Sequence, residues 1–524
     1  MKTLTFLLLF ALCGGRLPAQ DAGTIRFTDA SGQYLERVVY SDTANLNVQA
    51  HFERSLIAYW QAMRPGGDVQ TFLQHGNWQF RFFVDDKLVY TENLHHGAGL
   101  PPSKQVPALS APLISSKPRD HWGCYLWGRF LLQGGESALG TGVTHQLKIE
   151  LRPYLQLDSL QLGPLAASGS VAVTVPPIHI DPAASAIQTI RPGSGWRTSP
   201  SSYDTALIRQ LNEQILARRF KEITSIIVIR NGQLLLEEYF NGSDRDSLQD
   251  TRSVGKSFTS ALMGIAIQEH LVKDEKQPLG TFYKLSQFDH YTPQKDSITL
   301  EQLLTMSSPF YGNDDLSDSP GNEENMYPTS NWVKFVLDLP LDSSRPQGKP
   351  WNYFTAGVVL LGDILQQSTP QGLEQYAATK LFTPLGIHHY QWQYTPQHVP
   401  STAGGLGLRS LDLARFGQLY KNRGNWQGRQ IIPASWVKAS FQKRAVLPTG
   451  PQEYYGYLFW NKTFRVNGKD AETFYSSGNG GNKIFVFTNQ PLVIVITATA
   501  YGRPYAHPQV DRMMREYLLP AVLP

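Results

Sequence analysis

The sequence contains few cysteines and almost no excess of charge of either sign. Of 524 residues only two are cysteine, and 47 basic against 43 acidic side chains leave a net charge of +4. So small a net charge creates no strong field for nucleic acid or for an anionic membrane surface. We therefore expect no nucleic-acid partner.

Long hydrophobic runs are also missing. No stretch approaches the roughly 20 apolar residues that span a bilayer, so we expect no transmembrane segment. Charged residues make up only 17% of the chain and hydrophobic residues 41%, a balance that excludes a disordered chain and indicates a packed globular one. The length suggests roughly two to four domains.

The first 19 residues have the order of features typical of a signal peptide. Lys2 precedes an apolar run over residues 4–12, and Leu17-Pro18-Ala19 leads to Gln20. This order predicts export to the periplasm or the medium. An alternative is a lipoprotein anchored at Cys13, although Leu12 is bulky for such a site. In both cases Cys124 alone remains, so no intrachain disulfide is expected.

Residues 20–180 have the pattern of an antiparallel β-sandwich. Apolar and polar side chains alternate over residues 78–84 and 145–151, as half-buried strands require. We assign this region no chemistry, because His95-His96 lacks the spacing of a metal site. The proline-rich residues 181–202 predict a linker to a second domain over residues 203–524.

The second domain contains a candidate nucleophile. Ser253 and Lys256 stand three residues apart at the start of a predicted helix, where side chains at this spacing are neighbours. An amine beside a serine hydroxyl can take its proton if burial and the helix dipole lower the amine pKa. The rival interpretation, a phosphate-binding Gly-Lys-Ser loop, requires a glycine where Asp250 stands, and we reject it.

Further motifs follow in an order that resembles a known family. The segments are Arg252-Ser253-Val254-Gly255-Lys256-Ser257, Leu303-Leu304-Thr305-Met306-Ser307-Ser308, Trp351-Asn352-Tyr353-Phe354-Thr355, Gly404-Gly405-Leu406-Gly407-Leu408-Arg409, Asp412-Leu413-Ala414-Arg415-Phe416-Gly417 and Ser476-Ser477-Gly478-Asn479-Gly480-Gly481. Residues 203–520 resemble the serine hydrolases related to class C β-lactamases and penicillin-binding proteins, within which the 6-aminohexanoate-dimer hydrolase-like branch looks closest. The resemblance implies an α+β domain of β-lactamase/transpeptidase type, with an antiparallel sheet, flanking helices and a helical subdomain.

The resemblance also implies roles for individual residues. Tyr353 would transfer protons beside Lys256, and the backbone amides of Ser253 and Asn479 would form the oxyanion hole. The residues expected along the substrate are Thr355, Ser476, Ser477 and Gly478. Ser476 stands where the family has a lysine or histidine, and Thr355 where it has an asparagine. A serine cannot pair with the carboxylate of a β-lactam, so these departures argue against β-lactamase activity.

The sequence therefore predicts an exported serine hydrolase that cleaves an ester or amide bond of a small-molecule or peptide-like substrate. Ser253, Lys256 and Tyr353 are its expected catalytic residues, and no metal or other cofactor is expected. The substrate would be selected by loops such as residues 308–327. The alternative is a catalytically inert, penicillin-binding-like module that recognises a cell-wall or peptide ligand.

Overall fold

The computed structural model describes residues 22–41, 43–117, 121–176, 183–345, 351–448 and 452–523. The predicted signal peptide, with Cys13, lies outside the described residues, as does the start of the predicted linker. Among the described residues, no helix has the length and apolar character needed to cross a membrane.

The N-terminal region is built on one sheet whose strand order is β5-β4-β7-β9-β1-β3-β6, with β2 paired to β9 and β8 to β7. Most pairs are antiparallel, but β1 and β2 each run parallel to β9. The sandwich arrangement itself stays a prediction. The elements are β1 (Thr24–Thr28), β2 (Arg37–Val39), β3 (Leu46–His51), α1 (Leu56–Met63), α2 (Val69–His75), β4 (Gly76–Val84), β5 (Lys87–Asn93), β6 (Ala108–Ile114), α3 (Trp122–Phe130), α4 (Glu136–Leu139), β7 (Thr144–Gln156), β8 (Leu160–Leu162) and β9 (Ala167–Thr174).

Aromatic side chains fill the core of this region. Phe80 and Phe82 of β4 are fully buried, and Phe82 stacks on Phe130 of α3 at 4.8 Å between ring centroids. Trp60 of α1 is also fully buried, and its indole N–H donates to the carbonyl of Tyr154 on β7 at 2.9 Å. The helices are therefore fixed to the sheet by both apolar packing and hydrogen bonds.

The C-terminal region contains an eight-stranded sheet of order β11-β10-β22-β21-β20-β19-β18-β17, in which every pair is antiparallel. Its elements, with those of two smaller sheets, are α5 (Thr205–Leu216), β10 (Ile223–Arg230), β11 (Gln233–Tyr239), β12 (Leu248–Asp250), α6 (Gly255–Gln268), α7 (Pro293–Asp296), α8 (Leu300–Leu304), α9 (Glu323–Met326), α10 (Trp332–Asp338), α11 (Thr355–Ser368), α12 (Gly372–Ala377), β13 (Tyr390–Trp392), β14 (Leu406–Arg409), α13 (Ser410–Lys421), β15 (Asn425–Trp426), β16 (Arg429–Gln430), α14 (Ala434–Ser440), β17 (Ala445–Val446), β18 (Tyr454–Tyr455), β19 (Trp460–Val466), β20 (Lys469–Gly478), β21 (Asn482–Phe487), β22 (Leu492–Ala498), α15 (Ala506–Met513) and α16 (Leu519–Val522).

The tight turn between β10 and β11 is formed by Asn231-Gly232. Asn231 has φ 53° and Gly232 has φ 73°, the left-handed conformations that a two-residue hairpin turn requires and that these residue types adopt at low cost. The hairpin predicted from this dipeptide is confirmed.

Alternate residues of the C-terminal sheet pack into two different cores. Ile484 and Val486 of β21 face a core that includes α6 and α13, whereas Phe485 and Phe487 face a core that includes α5 and α15. Helix α6 is buried over nearly its whole length, and its Phe258 stacks on Phe416 of α13 at 3.7 Å. The start of α6 is therefore held firmly against the sheet.

The described part of the predicted linker packs along β11. Ser199 N–H donates to the carbonyl of Leu234 at 2.8 Å, and the Gln188 amide donates to the carbonyl of Tyr239 at 2.7 Å. Trp196 meets Trp426 edge-on at 5.7 Å. The segment thus follows the C-terminal sheet as an ordered strap, while the domain boundaries stay a prediction.

The N-terminal region also contacts the C-terminal region close to the predicted nucleophile. Tyr125 of α3 accepts a hydrogen bond from the Arg252 guanidinium at 3.0 Å. Farther along, the His95 ring lies 3.2 Å from the carbonyl of Ser317. These contacts place one face of the N-terminal sheet region over the start of α6.

Candidate active site

Ser253 lies in a tight turn, Arg252–Val254, that leads directly into α6. The Lys256 ammonium donates to Ser253 Oγ at 2.7 Å. The two side chains that the spacing predicted as neighbours therefore meet, because three residues nearly complete one helical turn. When the lysine is neutral the same contact reverses, and the serine hydroxyl donates to the amine.

The surroundings of Lys256 favour the loss of its proton near neutral pH. Its side chain is almost fully buried, and burial lowers the pKa of Lys256 to about 8, against a smaller opposing effect of Glu323 and Asp314. The ammonium also donates to the carbonyl of Ala403, which fixes the amine beside the serine. A buried lysine with a lowered pKa and a serine in contact is the arrangement required of a general base.

Tyr353 completes the predicted group. The Lys256 Nζ lies 5.2 Å from the centre of the Tyr353 ring, and Trp460 packs beside that ring at 5.7 Å. Burial raises the pKa of Tyr353, while the Ser253 hydroxyl opposes the rise. The phenol is therefore protonated at neutral pH, which suits a proton donor better than a resting base.

Asp314 connects the loop before α9 to this group, and the sequence patterns did not single it out. Its backbone N–H donates to the carbonyl of Tyr353 at 2.8 Å. Its carboxylate accepts from the backbone N–H of Thr355 at 2.7 Å and of Glu323 at 2.9 Å. Burial and Glu323 raise the pKa of Asp314 to about 7. The Asp314 carboxylate thus holds the first residues of α11 and α9, and its backbone N–H holds Tyr353.

The predicted segment of residues 476–481 lies against the turn that carries Ser253. A Cβ on Gly478 would lie 2.2 Å from the carbonyl oxygen of Thr251 and 3.2 Å from the backbone nitrogen of Val254. Glycine is required here because the end of β20 touches the backbone that carries Ser253. Gly478 therefore contacts protein backbone, whereas the sequence predicted that it would lie along the substrate.

The residues predicted to contact the substrate differ from one another in burial and in hydrogen bonding. Ser476 is buried, and its Oγ has no hydrogen-bond partner among the described residues. Ser477 Oγ accepts from the Lys483 ammonium of β21 at 2.8 Å. Lys483 is a second cation that the sequence patterns missed, although its place one tight turn after Ser477 could have indicated it. Thr355 is fully buried at the start of α11.

Asn479, the predicted partner of Ser253 in the oxyanion hole, follows β20 and lines the same cleft as Ser253. Its side-chain oxygen accepts from the backbone N–H of Gly502 at 2.9 Å, which fixes the residue. A Cβ on Gly404 would lie 3.1 Å from the Ser253 nitrogen, so the backbone is closely packed around this amide. The oxyanion hole and the substrate contacts stay predictions.

Ser253 opens into a cleft of about 1260 Å³ between the two regions. The C-terminal side includes Arg252, Glu323 and Asn479, and the N-terminal side includes residues of β4, β6 and α3. Ser253 thus lies on one wall of the cleft, and the opposite wall belongs to the N-terminal region.

Comparison with known proteins places the C-terminal region in a family. The family described as Beta-lactamase matches residues 208–517, well over half of the chain. The chain belongs to the β-lactamase family of serine hydrolases. This assignment confirms the predicted superfamily and enzyme class, and it covers the α+β domain and none of the N-terminal sheet.

Individual relatives are distant. A protein named as penicillin-binding protein PbpX of Bacillus subtilis strain 168 is 22% identical over 199 residues, 37% of this chain and 48% of the relative. The chain thus spans about half of that relative's length. A solved structure named as a 6-aminohexanoate-dimer hydrolase from Bacillus anthracis is 21% identical, with 57% of this chain and 79% of that chain covered and a TM-score of 0.48. A D-stereospecific amidohydrolase from a Streptomyces species is 15% identical, with 55% and 92% covered and a TM-score of 0.44.

Proposed function

We propose that the protein hydrolyses an ester or amide bond through an acyl-enzyme on Ser253. The observation that carries the proposal is the 2.7 Å contact between Lys256 Nζ and Ser253 Oγ at a buried lysine whose pKa is lowered to about 8. A serine hydroxyl is a poor nucleophile until a neighbouring base takes its proton. Lys256 supplies that base.

The cycle has two halves. Ser253 Oγ attacks the acyl carbon while Lys256 takes the hydroxyl proton, and the negative charge formed on the carbonyl oxygen is stabilised by the amides of Ser253 and Asn479. A proton passes through Tyr353 to the leaving alcohol or amine as its bond to carbon breaks. Water then gives a proton back through the same groups and attacks the acyl carbon, which releases the acid and restores Ser253.

The pKa of Lys256 sets the direction of the pH dependence. Attack requires the neutral amine, so kcat/KM should rise with pH as Lys256 loses its proton around pH 8. Ser476 itself carries no positive charge for the carboxylate of a β-lactam, and the Lys483 ammonium beside β20 donates to Ser477 Oγ. The proposed substrates are therefore esters and amides other than β-lactams.

We also propose that the chain is exported, from the order of Lys2, the apolar residues 4–12 and Ala19. Intact-mass measurement of the protein made by the native export route tests this directly. A mature chain that begins at Gln20 supports a free exported protein. A diacylglyceryl mass on Cys13 indicates the lipoprotein alternative, and an unprocessed chain that begins at Met1 contradicts export.

The proposed chemistry is tested with a fluorophosphonate followed by peptide mapping. We expect one adduct per chain, on Ser253, and none in Ser253→Ala, which should also lose at least about 10³-fold in ester hydrolysis. Ser317→Ala, at an exposed serine of a neighbouring loop, serves as the matched control and should label fully. A folded parent protein without any adduct would contradict the proposal and favour the inert binding module.

A further inference from the structure

The wall opposite Ser253 is formed by the N-terminal region and is rich in aromatic side chains. Trp78 of β4 and Trp122 and Tyr125 of α3 all line the cleft. Tyr125 is also tied to the nucleophile turn by its hydrogen bond from Arg252 at 3.0 Å. This hydrogen bond joins the two walls, and a substrate that fills the cleft around Ser253 would contact the N-terminal wall.

The cleft is larger than cleavage of a small ester requires. Pockets for drug-sized ligands enclose about 300–1000 Å³, whereas this cleft encloses about 1260 Å³. Its size indicates a substrate with a substantial portion beyond the bond that is cleaved. The side chains of the N-terminal wall then determine what that portion is.

Three cations of the cleft differ in their partners. Arg252 pairs with Asp250 at 3.0 Å, and Arg129 pairs with Glu92 at 2.5 Å. Lys104 is only 5% exposed and donates to the carbonyl of His96 at 2.5 Å. Within the described part of the chain, no carboxylate lies within ion-pair distance of Lys104. An ammonium has three donors, and a buried charge without a counter-ion is costly.

The other titratable groups near Lys104 do not neutralise it. His95 and His96 are adjacent, and burial lowers the pKa of His96 to about 4, with a further contribution from Lys104, so His96 is neutral at pH 7. The acidic residues of the cleft, Asp250, Glu323 and Glu324, belong to the C-terminal wall. Asp250 pairs with Arg252, and Glu324 lies 3.4 Å from the His95 ring. Among the described residues, the N-terminal wall therefore includes a buried lysine without a carboxylate partner.

We propose that Lys104 binds a carboxylate of the substrate, remote from the bond that Ser253 attacks, and that the N-terminal region is the specificity half of the active site. The substrate class is an ester or amide that carries a carboxylate at the end of an apolar or aromatic segment. The inference rests on the proposed function of Ser253. Burial lowers the pKa of Lys104 to about 8, and a bound anion would restore its charge.

The test compares matched esters that differ only in the remote group. In one series, nitrophenyl esters of straight-chain acids end either in a carboxylate or in a neutral methyl ester. In a second series the carboxylate, or a neutral carboxamide, is on the aryl leaving group instead. For each pair the measured quantity is the ratio of kcat/KM for the charged ester to kcat/KM for the neutral ester.

We expect the parent protein to prefer the charged ester in at least one series, at a chain length that matches the cleft. Lys104→Met should lower that ratio at least tenfold, and Lys104→Arg should restore part of it. Lys87→Met, at an exposed lysine of the same region, should leave the ratio unchanged.

In the parent the ratio should also fall above about pH 8 as Lys104 loses its proton. The titration of Lys256 changes kcat/KM for both esters alike and therefore cancels in the ratio.

The outcomes separate the two proposals. If the neutral esters are hydrolysed through Ser253 but no ratio depends on Lys104, the assignment of Lys104 is wrong and the proposed hydrolase stands. If the folded parent hydrolyses none of these esters and gives no fluorophosphonate adduct, the proposed function itself has failed.

Discussion

The two regions each carry a buried lysine whose pKa burial lowers to about 8, yet their surroundings differ. Lys256 of the C-terminal region contacts a serine hydroxyl and feels two carboxylates, Asp314 and Glu323. Lys104 of the N-terminal region contacts a backbone carbonyl and borders an open cleft. Burial alone therefore does not make a lysine a catalytic base. In the roles that we propose, the neighbouring group decides whether the lysine takes a proton or binds a charge.

The difference extends to how each region is built. The C-terminal sheet is antiparallel throughout and brings β20 against the turn of Ser253, where Gly478 leaves no space for a side chain. The N-terminal sheet mixes antiparallel with parallel pairs and contributes aromatic residues to the cleft. If the proposed roles hold, with chemistry in the C-terminal region and recognition in the N-terminal region, substitutions in each should produce different kinetic signatures.

The largest effect is expected from Tyr353→Phe on the catalytic side. Loss of a proton-transfer group commonly costs about 10²–10⁴-fold. We expect a loss near the upper end for alkyl esters, whose leaving alkoxide needs a proton, and a much smaller loss for nitrophenyl esters, whose leaving group needs none. Steady-state kcat/KM for the two ester types measures the split.

The matched control is Tyr454→Phe, a tyrosine of β18 for which the structure gives no catalytic contact. Its kinetics should stay within about twofold of the parent for both esters. Equal losses for alkyl and nitrophenyl esters in Tyr353→Phe would show that the phenol supports the structure of the site without transferring protons.

Whether the sequence predicts a contact in either region depends on how far apart the two residues lie along the chain. The pairing of Ser253 with Lys256 is local, so helical spacing is sufficient to predict it. The turn at Asn231-Gly232 is local as well. Asp314, by contrast, acts through hydrogen bonds to Tyr353 and Thr355, about forty residues later. No periodicity specifies such a contact, because it depends on the path of an irregular loop.

The N-terminal region shows the same limit. Alternation of apolar and polar residues predicts its strands, but it does not predict that β1 runs parallel to β9. Lys104 stands in a proline-containing turn, where a lysine is ordinarily exposed. The turn that carries it packs against α1, and no periodicity in the sequence indicates that contact. The proposed catalytic residues could be predicted from ordered motifs, whereas the proposed recognition site at Lys104 required the assembled structure.

A smaller effect, on pH dependence, is expected from Asp314→Asn. The negative charge of Asp314 raises the pKa of Lys256. Removing it should therefore move the rise in kcat/KM to lower pH, by about half a unit to one unit. The asparagine oxygen can replace only one of the two acceptor contacts, so we also expect about tenfold lower activity and a free energy of unfolding lower by about 1–3 kcal/mol.

Asp318→Asn, at an exposed aspartate of the same loop, is the control and should change neither the pH profile nor the stability. Measurement of kcat/KM from pH 5 to 10, with denaturant unfolding of each variant, separates the two effects. A profile that stays in place or moves to higher pH in Asp314→Asn would show that the carboxylate does not influence the base.

The smallest effect is expected at the hydrogen bond that joins the two walls. Tyr125→Phe removes the acceptor that the Arg252 guanidinium contacts at 3.0 Å, a bond worth about 0.5–1.5 kcal/mol. We expect kcat/KM to fall roughly two- to tenfold. The loss should be greater for the long carboxylate esters than for short neutral ones, because only the former must contact both walls.

Tyr34→Phe, at a tyrosine that is 54% exposed in the same region, should leave both values unchanged. If Tyr125→Phe instead weakened short and long esters equally, the bond would act by positioning the turn of Ser253, and the separation of catalytic wall from recognition wall would not hold at this point.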